Sequence, residues 1–233
     1  MKNVLIAVQA RSTSTRLRDK SSMAVGELSI VGRVMYQAVR LSGAHWLSEK
    51  ANVTVAMLVP YGDKLKDTFR SRYNVFEGPE DDVLTRFHMA AEHYNSDIIV
   101  RLTGDCAWMQ RRVIAKVLGD AMRAEADYCS NVLVRTFMEG LDVEVMSRTL
   151  LAYINNYADT AADREHVTTY ITDMIRRDKK IPGCKVHTVL AEYDFSDVKT
   201  SVDTLEEYQD CVRRFESMKA KKAEANSYGE ISN

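Results

Sequence analysis

The 233-residue chain carries 32 Lys and Arg against 33 Asp and Glu, a formal net charge of −1, and is 45% apolar and 28% charged. Those are ordinary globular proportions, and a near-neutral chain argues against nucleic-acid binding through overall charge. No stretch approaches the roughly 20 apolar residues of a membrane span, and the length suits one large α/β domain or a domain with a small lobe.

Cys106, Cys129, Cys184 and Cys211 are scattered, with no C-x-x-C pair to suggest zinc. Residues 1–10 hold a short apolar run without a cleavage-site pattern. The sequence therefore reads as a reduced, cytoplasmic protein.

Val4–Val8 is a continuous apolar run and predicts a buried strand. It leads into Arg11–Lys20, where four hydroxyls (Ser12, Thr13, Ser14, Thr15) accompany four cations (Arg11, Arg16, Arg18, Lys20). Backbone N–H groups, hydroxyls and cations gathered at a strand end suit phosphate; an ordinary solvated loop has the same composition. Ile30, Val34, Ala38 and Leu41 space a helix over 30–41, and the β-rich run Val53–Val59 predicts a second strand. A polar helix over 63–72, a short strand Asn74–Phe76 and a helix Glu80–Tyr94 follow. Glu80, Asp81 and Asp82 crowd the first turn of that helix, where its dipole favours negative charge.

Asp97–Leu102 predicts a central strand ending in Thr103-Gly104-Asp105-Cys106, followed by a helix over 111–123 and a strand Asp127–Asn131. Strand–helix alternation over the first 130 residues argues for a parallel sheet with helices on both faces. Such sheets bind ligands at strand carboxyl ends, so Arg11–Lys20 and Asp105 could share one crevice. From Arg135 the pattern changes. Leu141–Val145 alternates apolar and acidic residues like a half-exposed strand, helices are predicted over 147–157 and 163–177, and Cys184–Glu192 predicts a strand. This stretch, about 135–192, reads as an insertion serving as substrate wall or dimer surface. Lys199–Val202 is predicted as a short strand. Asp203 follows it, and Thr204 and Glu207 form a capping-box pattern. The domain is expected to end near residue 218, with 219–233 a disordered tail.

Asp105 and Asp203 both follow predicted strands. Two carboxylates beside a phosphate loop could hold Mg2+; they could equally be an Asx-turn residue and a helix-start residue. Arg11 and Arg16 could fork onto phosphate, and Lys20 could act as a mobile point charge. His166, in the run Asp163-Arg164-Glu165-His166, could bind substrate, act as a base, or merely pack. Asp142 and Glu144 share one face and either contact an acceptor or solvate that face.

VQARSTSTRLRDK resembles the signature IQAR-x-x-S-x-RLPGK of the cytidylyltransferases that make CMP-activated sugar acids, particularly the branch of spore-coat polysaccharide biosynthesis proteins. EGPEDDVLTRF, IIVRLTGDC, SNVLVRTFMEGLDVEV, DREHVTTYI and SVDTLEEY resemble further blocks in the same order, from about Val4 to Phe215. The resemblance implies a Rossmann-like nucleotidyltransferase fold, a three-layer sandwich on a mostly parallel sheet with a small dimerisation insertion, and a homodimer. It implies CTP held by Gln9, Ala10, Arg11, Ser14, Arg16, Lys20, Asp82 and Thr103, and Mg2+ on Asp105 and Asp203. Arg11, Lys20 and Asp105 would be catalytic. A small acceptor, a sugar acid or similar anion, would meet Arg86, Asp142, Glu144, Arg164 and His166. No nucleic-acid or membrane partner is implied. The chain departs from the pattern where RLPGK becomes Arg16-Leu17-Arg18-Asp19-Lys20. Loss of Pro and Gly predicts a differently shaped loop, and Asp19 puts a negative charge beside the phosphate path. Two alternatives stay open: a same-fold transferase using another nucleotide, and a non-catalytic nucleotide-binding homologue.

Overall fold

The computed structural model describes residues 1–179 and 181–230, with side chains described through Lys221. In chain order the elements are β1 (Lys2–Gln9), β2 (Ala24–Val25), β3 (Leu28–Ser29), α1 (Ile30–Ser42), α2 (His45–Ser48), β4 (Ala51–Pro60), α3 (Leu65–Phe69), β5 (Asn74–Gly78) and α4 (Val83–His93). They continue with β6 (Ile98–Thr103), α5 (Arg111–Ala124), β7 (Tyr128–Ser130), β8 (Glu144–Ser147), α6 (Arg148–Tyr157), α7 (Ala161–His166), α8 (Thr169–Arg176), β9 (Val186–Thr188) and α9 (Leu205–Glu230). β2 and β3 form a separate hairpin. The other seven strands make one sheet in the order β5-β4-β1-β6-β8-β7-β9.

The fold is a mostly parallel α/β sandwich. β1 is central because it is apolar on both faces: Val4, Ile6 and Val8 pack into one buried cluster with α1 and α5, and Leu5 and Ala7 into another with α4 and α6. Burying one such aliphatic side chain contributes about 1.5–3 kcal/mol, so a strand buried on both sides is the natural axis of the sheet. β1 pairs in parallel with β4 and β6, and its last residue, Gln9, stands level with Leu58 and Thr103. The order of strands reverses between β1 and β6, which opens a crevice at their carboxyl ends.

Beyond β6 the sheet mixes directions: β8 runs antiparallel to both β6 and β7, and β9 parallel to β7. Four elements differ from expectation. β8 starts at Glu144 and is not half-exposed; Val143, Glu144 and Val145 are all buried, since β8 lies between β6 and β7 with both faces covered. The helix expected over 163–177 is two, divided at Val167, and the strand expected over Cys184–Glu192 is β9 alone. Instead of a strand at Lys199–Val202 there is one parallel bridge between Glu139 and Lys199. α9 is described to Glu230, and residues 231–233 of the expected tail lie outside the described residues. Among the described residues, no helix is long and apolar enough to cross a membrane.

Candidate active site

The loop after β1 is held from below. Ala10 N–H continues the β1–β4 ladder to the Leu58 carbonyl (3.0 Å), and Ser12 N–H donates to Asp63 Oδ2 (2.8 Å). Asp63 is buried and also accepts from Leu65 N–H (2.9 Å), so one carboxylate fixes the loop and opens α3. Nothing in the β1 loop points to this residue, which lies 51 positions away. Ser21 Oγ–H donates to the Arg11 carbonyl at 2.9 Å, which closes the loop on itself.

Asp19 stands where the family signature has Gly, and it adopts the left-handed conformation (φ 57°), a region that favours Gly. Asp tolerates that region better than most residues. Its carboxylate is paired with Lys64 Nζ at 2.5 Å, so the charge expected beside the phosphate path has its own cation on another segment. Lys20 is delivered into the crevice from a short 3-10 turn, Lys20–Ser22.

β6 supplies the opposite wall. Gly104 N–H donates to the Gln9 carbonyl (2.8 Å), and a Cβ at position 104 would lie 2.8 Å from that same oxygen. Only glycine allows this approach. Asp105 therefore projects directly beside the β1 loop. Its backbone carbonyl accepts from Val202 N–H at 3.1 Å, which ties the segment before Asp203 to the end of β6. That segment is carried by residues 136–140: Phe195 N–H donates to the Thr136 carbonyl, Glu139 N–H to Val198, and Thr200 N–H to Glu139 (2.8, 2.9 and 2.7 Å).

The two carboxylates so positioned meet on one cation. Lys20 Nζ lies 3.1 Å from Asp105 Oδ2, 2.9 Å from Asp203 Oδ1 and 3.0 Å from the Val202 carbonyl. Arg16 and Lys199 also reach Asp203, each at 3.3 Å. Burial alone would raise the Asp203 carboxyl, but the hydrogen bond and charge of Lys20, with Lys199 and Arg16, outweigh it and hold the group below the usual carboxylate range. Burial likewise pulls Lys20 down, yet the charges and hydrogen bonds of Asp105 and Asp203 leave it above the ordinary lysine value. The capping box is present: Glu207 N–H donates to Thr204 Oγ1 (3.2 Å), while Glu207 Oε2 accepts from Thr204 N–H (3.0 Å) and Asp203 N–H (2.7 Å). α9 thereby holds Asp203 as well as starting after it.

The crevice between these walls has a volume of about 300 Å3. Of the residues singled out from the sequence, Gln9, Ala10, Arg11, Ser14, Arg16, Lys20, Arg86, Thr103, Asp105, His166 and Asp203 line it. Four others do not reach it. Glu144 is buried against Arg101 and accepts from Tyr128 Oη (2.5 Å); Arg101 Nε in turn donates to Gln9 Oε1 (3.1 Å). Asp142 is held by both terminal nitrogens of Arg135 (2.7 and 3.0 Å). Asp82 caps α4 by accepting from Thr85 N–H (2.9 Å), and it takes two hydrogen bonds from Arg164 (3.0 and 2.7 Å). Arg86 lines the crevice but is 2% exposed; it donates to the carbonyls of Pro79, Leu58 and Glu80. Burial and the nearby Arg11 charge push it down to about 10, so it remains cationic at neutral pH and braces the wall.

Glu165 also lines the crevice, 3.5 Å from Arg11, and no sequence signal distinguished it from its neighbours in the DREH run. Its position, and that of His166, depends on the backbone at Val167. This β-branched residue is fully buried with φ 64° and ψ −54°, and Thr168 N–H donates to the His166 carbonyl at 2.6 Å. That is a γ-turn of positive φ, a rare and strained form. It ends α7 abruptly while Arg164, bonded to Asp82 and to the Asn155 carbonyl (2.8 Å), fixes the helix.

The carboxylate pair also suits a divalent metal by donor chemistry. Mg2+ takes hard oxygen ligands, commonly one or two carboxylates with phosphate and water. Asp105 and Asp203 converge on a single cation, and Lys20 Nζ stands in that place. Among the described residues, no larger cluster of His, Cys, Asp or Glu forms a metal cage.

Residues 5–230 match the sequence profile of one family, Cytidylyltransferase. The chain belongs to the cytidylyltransferase family. Among its relatives, an uncharacterized protein of Methanocaldococcus jannaschii is 30% identical over 171 residues, covering 70% of this chain and 65% of that protein, slightly under two thirds of its length. The spore coat polysaccharide biosynthesis protein SpsF of Bacillus subtilis is 27% identical, covering 73% of this chain and 70% of SpsF. Among solved structures, a cytidylyltransferase from Leptospira borgpetersenii matches with a TM-score of 0.77 at 26% identity, covering 91% of this chain and 86% of that one. The fold is also that of a CMP:2-keto-3-deoxy-manno-octonic acid synthetase complexed with CTP, with a TM-score of 0.66 at 11% identity, covering 94% and 99% of the two chains.

Proposed function

We propose that the protein is a CTP-dependent cytidylyltransferase that transfers CMP to an oxygen of a small acceptor, a sugar acid or similar metabolite, and releases pyrophosphate. The observation that carries this reading is the meeting of Lys20, Asp105 and Asp203 beside the cationic β1 loop, at the carboxyl ends of β1 and β6. The family supports the choice of nucleotide, as does the CTP complex of a protein sharing the fold.

In this reading the acceptor oxygen forms a bond to the α-phosphorus of CTP. The bond to the bridging oxygen breaks, and pyrophosphate leaves with the electron pair. Arg11 and Arg16 would fork onto phosphate oxygens. Ser14 and backbone N–H groups of the loop complete the cradle. Lys20 brings a point charge to the leaving pyrophosphate. Asp105 and Asp203 would hold Mg2+, which when bound neutralises charge on the phosphates. His166 lines the crevice on the α7 wall and is the group we assign to take the acceptor hydroxyl's proton. Asp82, Arg164, Asp142 and Glu144 act at one remove, by holding α4, α7 and β8 in place. Catalysis then rests on positioning and electrostatics without a covalent enzyme intermediate. As in the sequence reading, the protein is taken to act as a homodimer, which gel filtration checks.

Titration calorimetry with each of the four nucleoside triphosphates and Mg2+ tests the assignment. CTP should bind tightest, and Asp105→Ala or Asp203→Ala should lose on the order of tenfold or more in metal-dependent affinity, the scale of one charged contact. Pyrophosphate release should then appear with CTP across a panel of sugar acids. Preference for another nucleotide, or binding indifferent to both aspartates, would overturn it.

A further inference from the structure

The three donors of the Lys20 ammonium are all engaged, by two carboxylates and one carbonyl, and an ammonium has no fourth. The side chain is 14% exposed, and Asp203 is contacted by Arg16 and Lys199 besides. A dication approaching this carboxylate pair therefore meets one already neutralised from within. Both the approach of like charge and the loss of three hydrogen bonds oppose its entry.

The same geometry shows how that opposition is lifted. The root of Lys20 is fixed: Asp19 is pinned to Lys64, and the Lys20–Ser22 turn is anchored by Ser21 on the Arg11 carbonyl. The four-carbon stem above it is flexible. The nitrogen can leave the carboxylates without net loss only where other anionic oxygens receive it, and Arg11, Ser14 and Arg16 line the same crevice within the phosphate loop.

We propose that Lys20 is a resident cation that holds the metal position between Asp105 and Asp203 until nucleotide arrives and then moves onto the triphosphate, so that divalent metal and nucleotide bind as one unit and metal alone binds poorly. This rests on the reading of Asp105 and Asp203 as metal carboxylates. The opposing idea is a permanent structural ion pair, in which Lys20 stays on both carboxylates and the metal binds elsewhere or beside it.

The probe is Mn2+ without nucleotide, followed by electron paramagnetic resonance of the free ion, on the full chain and its Lys20→Met and Lys20→Gln variants. Removing the resident cation should tighten Mn2+ binding by about tenfold to a hundredfold, the worth of one charge-assisted hydrogen bond. Adding Asp203→Asn to Lys20→Met should abolish the gain. Lys20→Arg, which keeps the cation, should bind Mn2+ as weakly as the parent. If Lys20→Met fails to fold, Lys20→Gln carries the same comparison, with circular dichroism as the check. Should the parent bind CTP with Mn2+ while neither neutral variant binds Mn2+ more tightly than it does, the resident-cation proposal falls and the cytidylyltransferase reading stands. Should the parent bind no CTP at all, the reading beneath it falls as well.

Discussion

Arg164 grips Asp82 from a distance of 82 residues, through Nε at 3.0 Å and a terminal nitrogen at 2.7 Å. One residue lies on α7 and the other caps α4, so this fork locks the helix that bears Glu165 and His166 to a helix packed on the sheet. Planar two-point geometry is what Arg provides and Lys does not. Arg164→Lys should cost about 1 kcal/mol, discounted from the buried-pair figure because both side chains keep partial exposure. Asp82→Ala should cost more, since it also removes the cap on Thr85, worth about 1 kcal/mol. Urea midpoints for both single variants and the double variant should give a coupling energy near 1 kcal/mol; strict additivity would deny the link.

Asp203 makes stability depend on pH in a defined direction. Its carboxyl is held below the usual range, in spite of burial, by Lys20, Lys199 and Arg16. The resulting stability is present above the unfolded-chain value of about 3.9 and is lost as pH falls through the lower folded value. Lys20, held above the ordinary value, acts at the other end. Its contribution is complete below about 10.4 and disappears as pH rises through the higher folded value. Between these limits the network contributes a plateau. Asp203→Asn should lower that plateau and flatten the acid limb, so that parent and variant converge in urea midpoint as pH falls through the lowered folded value. A constant gap between the two curves would contradict the shift.

Val167 stores backbone strain on the crevice wall. With φ at 64° and the side chain fully buried, Val167→Ala loses apolar contact but keeps the strain. Val167→Gly loses that contact and the Cβ besides, but relieves the strain. Glycine ordinarily costs about 0.5–1 kcal/mol relative to alanine, whereas strain of this kind amounts to about 1–3 kcal/mol. The Gly variant should therefore be at least as stable as the Ala variant, the reverse of the usual order. Thermal melts of the pair decide this, and an Ala variant clearly above Gly would show the turn to be unstrained.

Gly140 supports Asp203 from a distance. Its φ is +99°, and a Cβ there would sit 2.6 Å from Ser201 N and 2.9 Å from the Thr200 carbonyl carbon. These are backbone atoms that cannot turn aside. Gly140→Ala should cost about 2 kcal/mol or more in urea unfolding, from strain and displaced backbone together. It should also weaken CTP–Mg2+ binding by shifting the 200–203 segment. Unchanged stability would mean that this segment yields freely.

Much of the molecule is legible in its amino-acid order because it depends on neighbours a few positions apart. The doubly buried run Val4–Val8, the helical spacing over 30–41 and the Thr204–Glu207 capping box are patterns of one to four residues, and each has its element in the structure. Strand–helix alternation likewise implies a parallel sheet whose strand ends bring the β1 loop near Asp105. Which charges neutralise one another is a different kind of question. Glu144 reads as half-exposed until β7 and β6 flank it. Arg164 and Asp82 read as ligand contacts until α7 is laid on α4. Lys20 becomes the meeting point of two carboxylates only when the Thr136–Glu139 segment carries Val202 back to the end of β6. Periodicity and caps arise from local backbone geometry, so the sequence by itself determined them. The partners of buried charges are set by residues tens to hundreds of positions apart, and only the tertiary structure decided those.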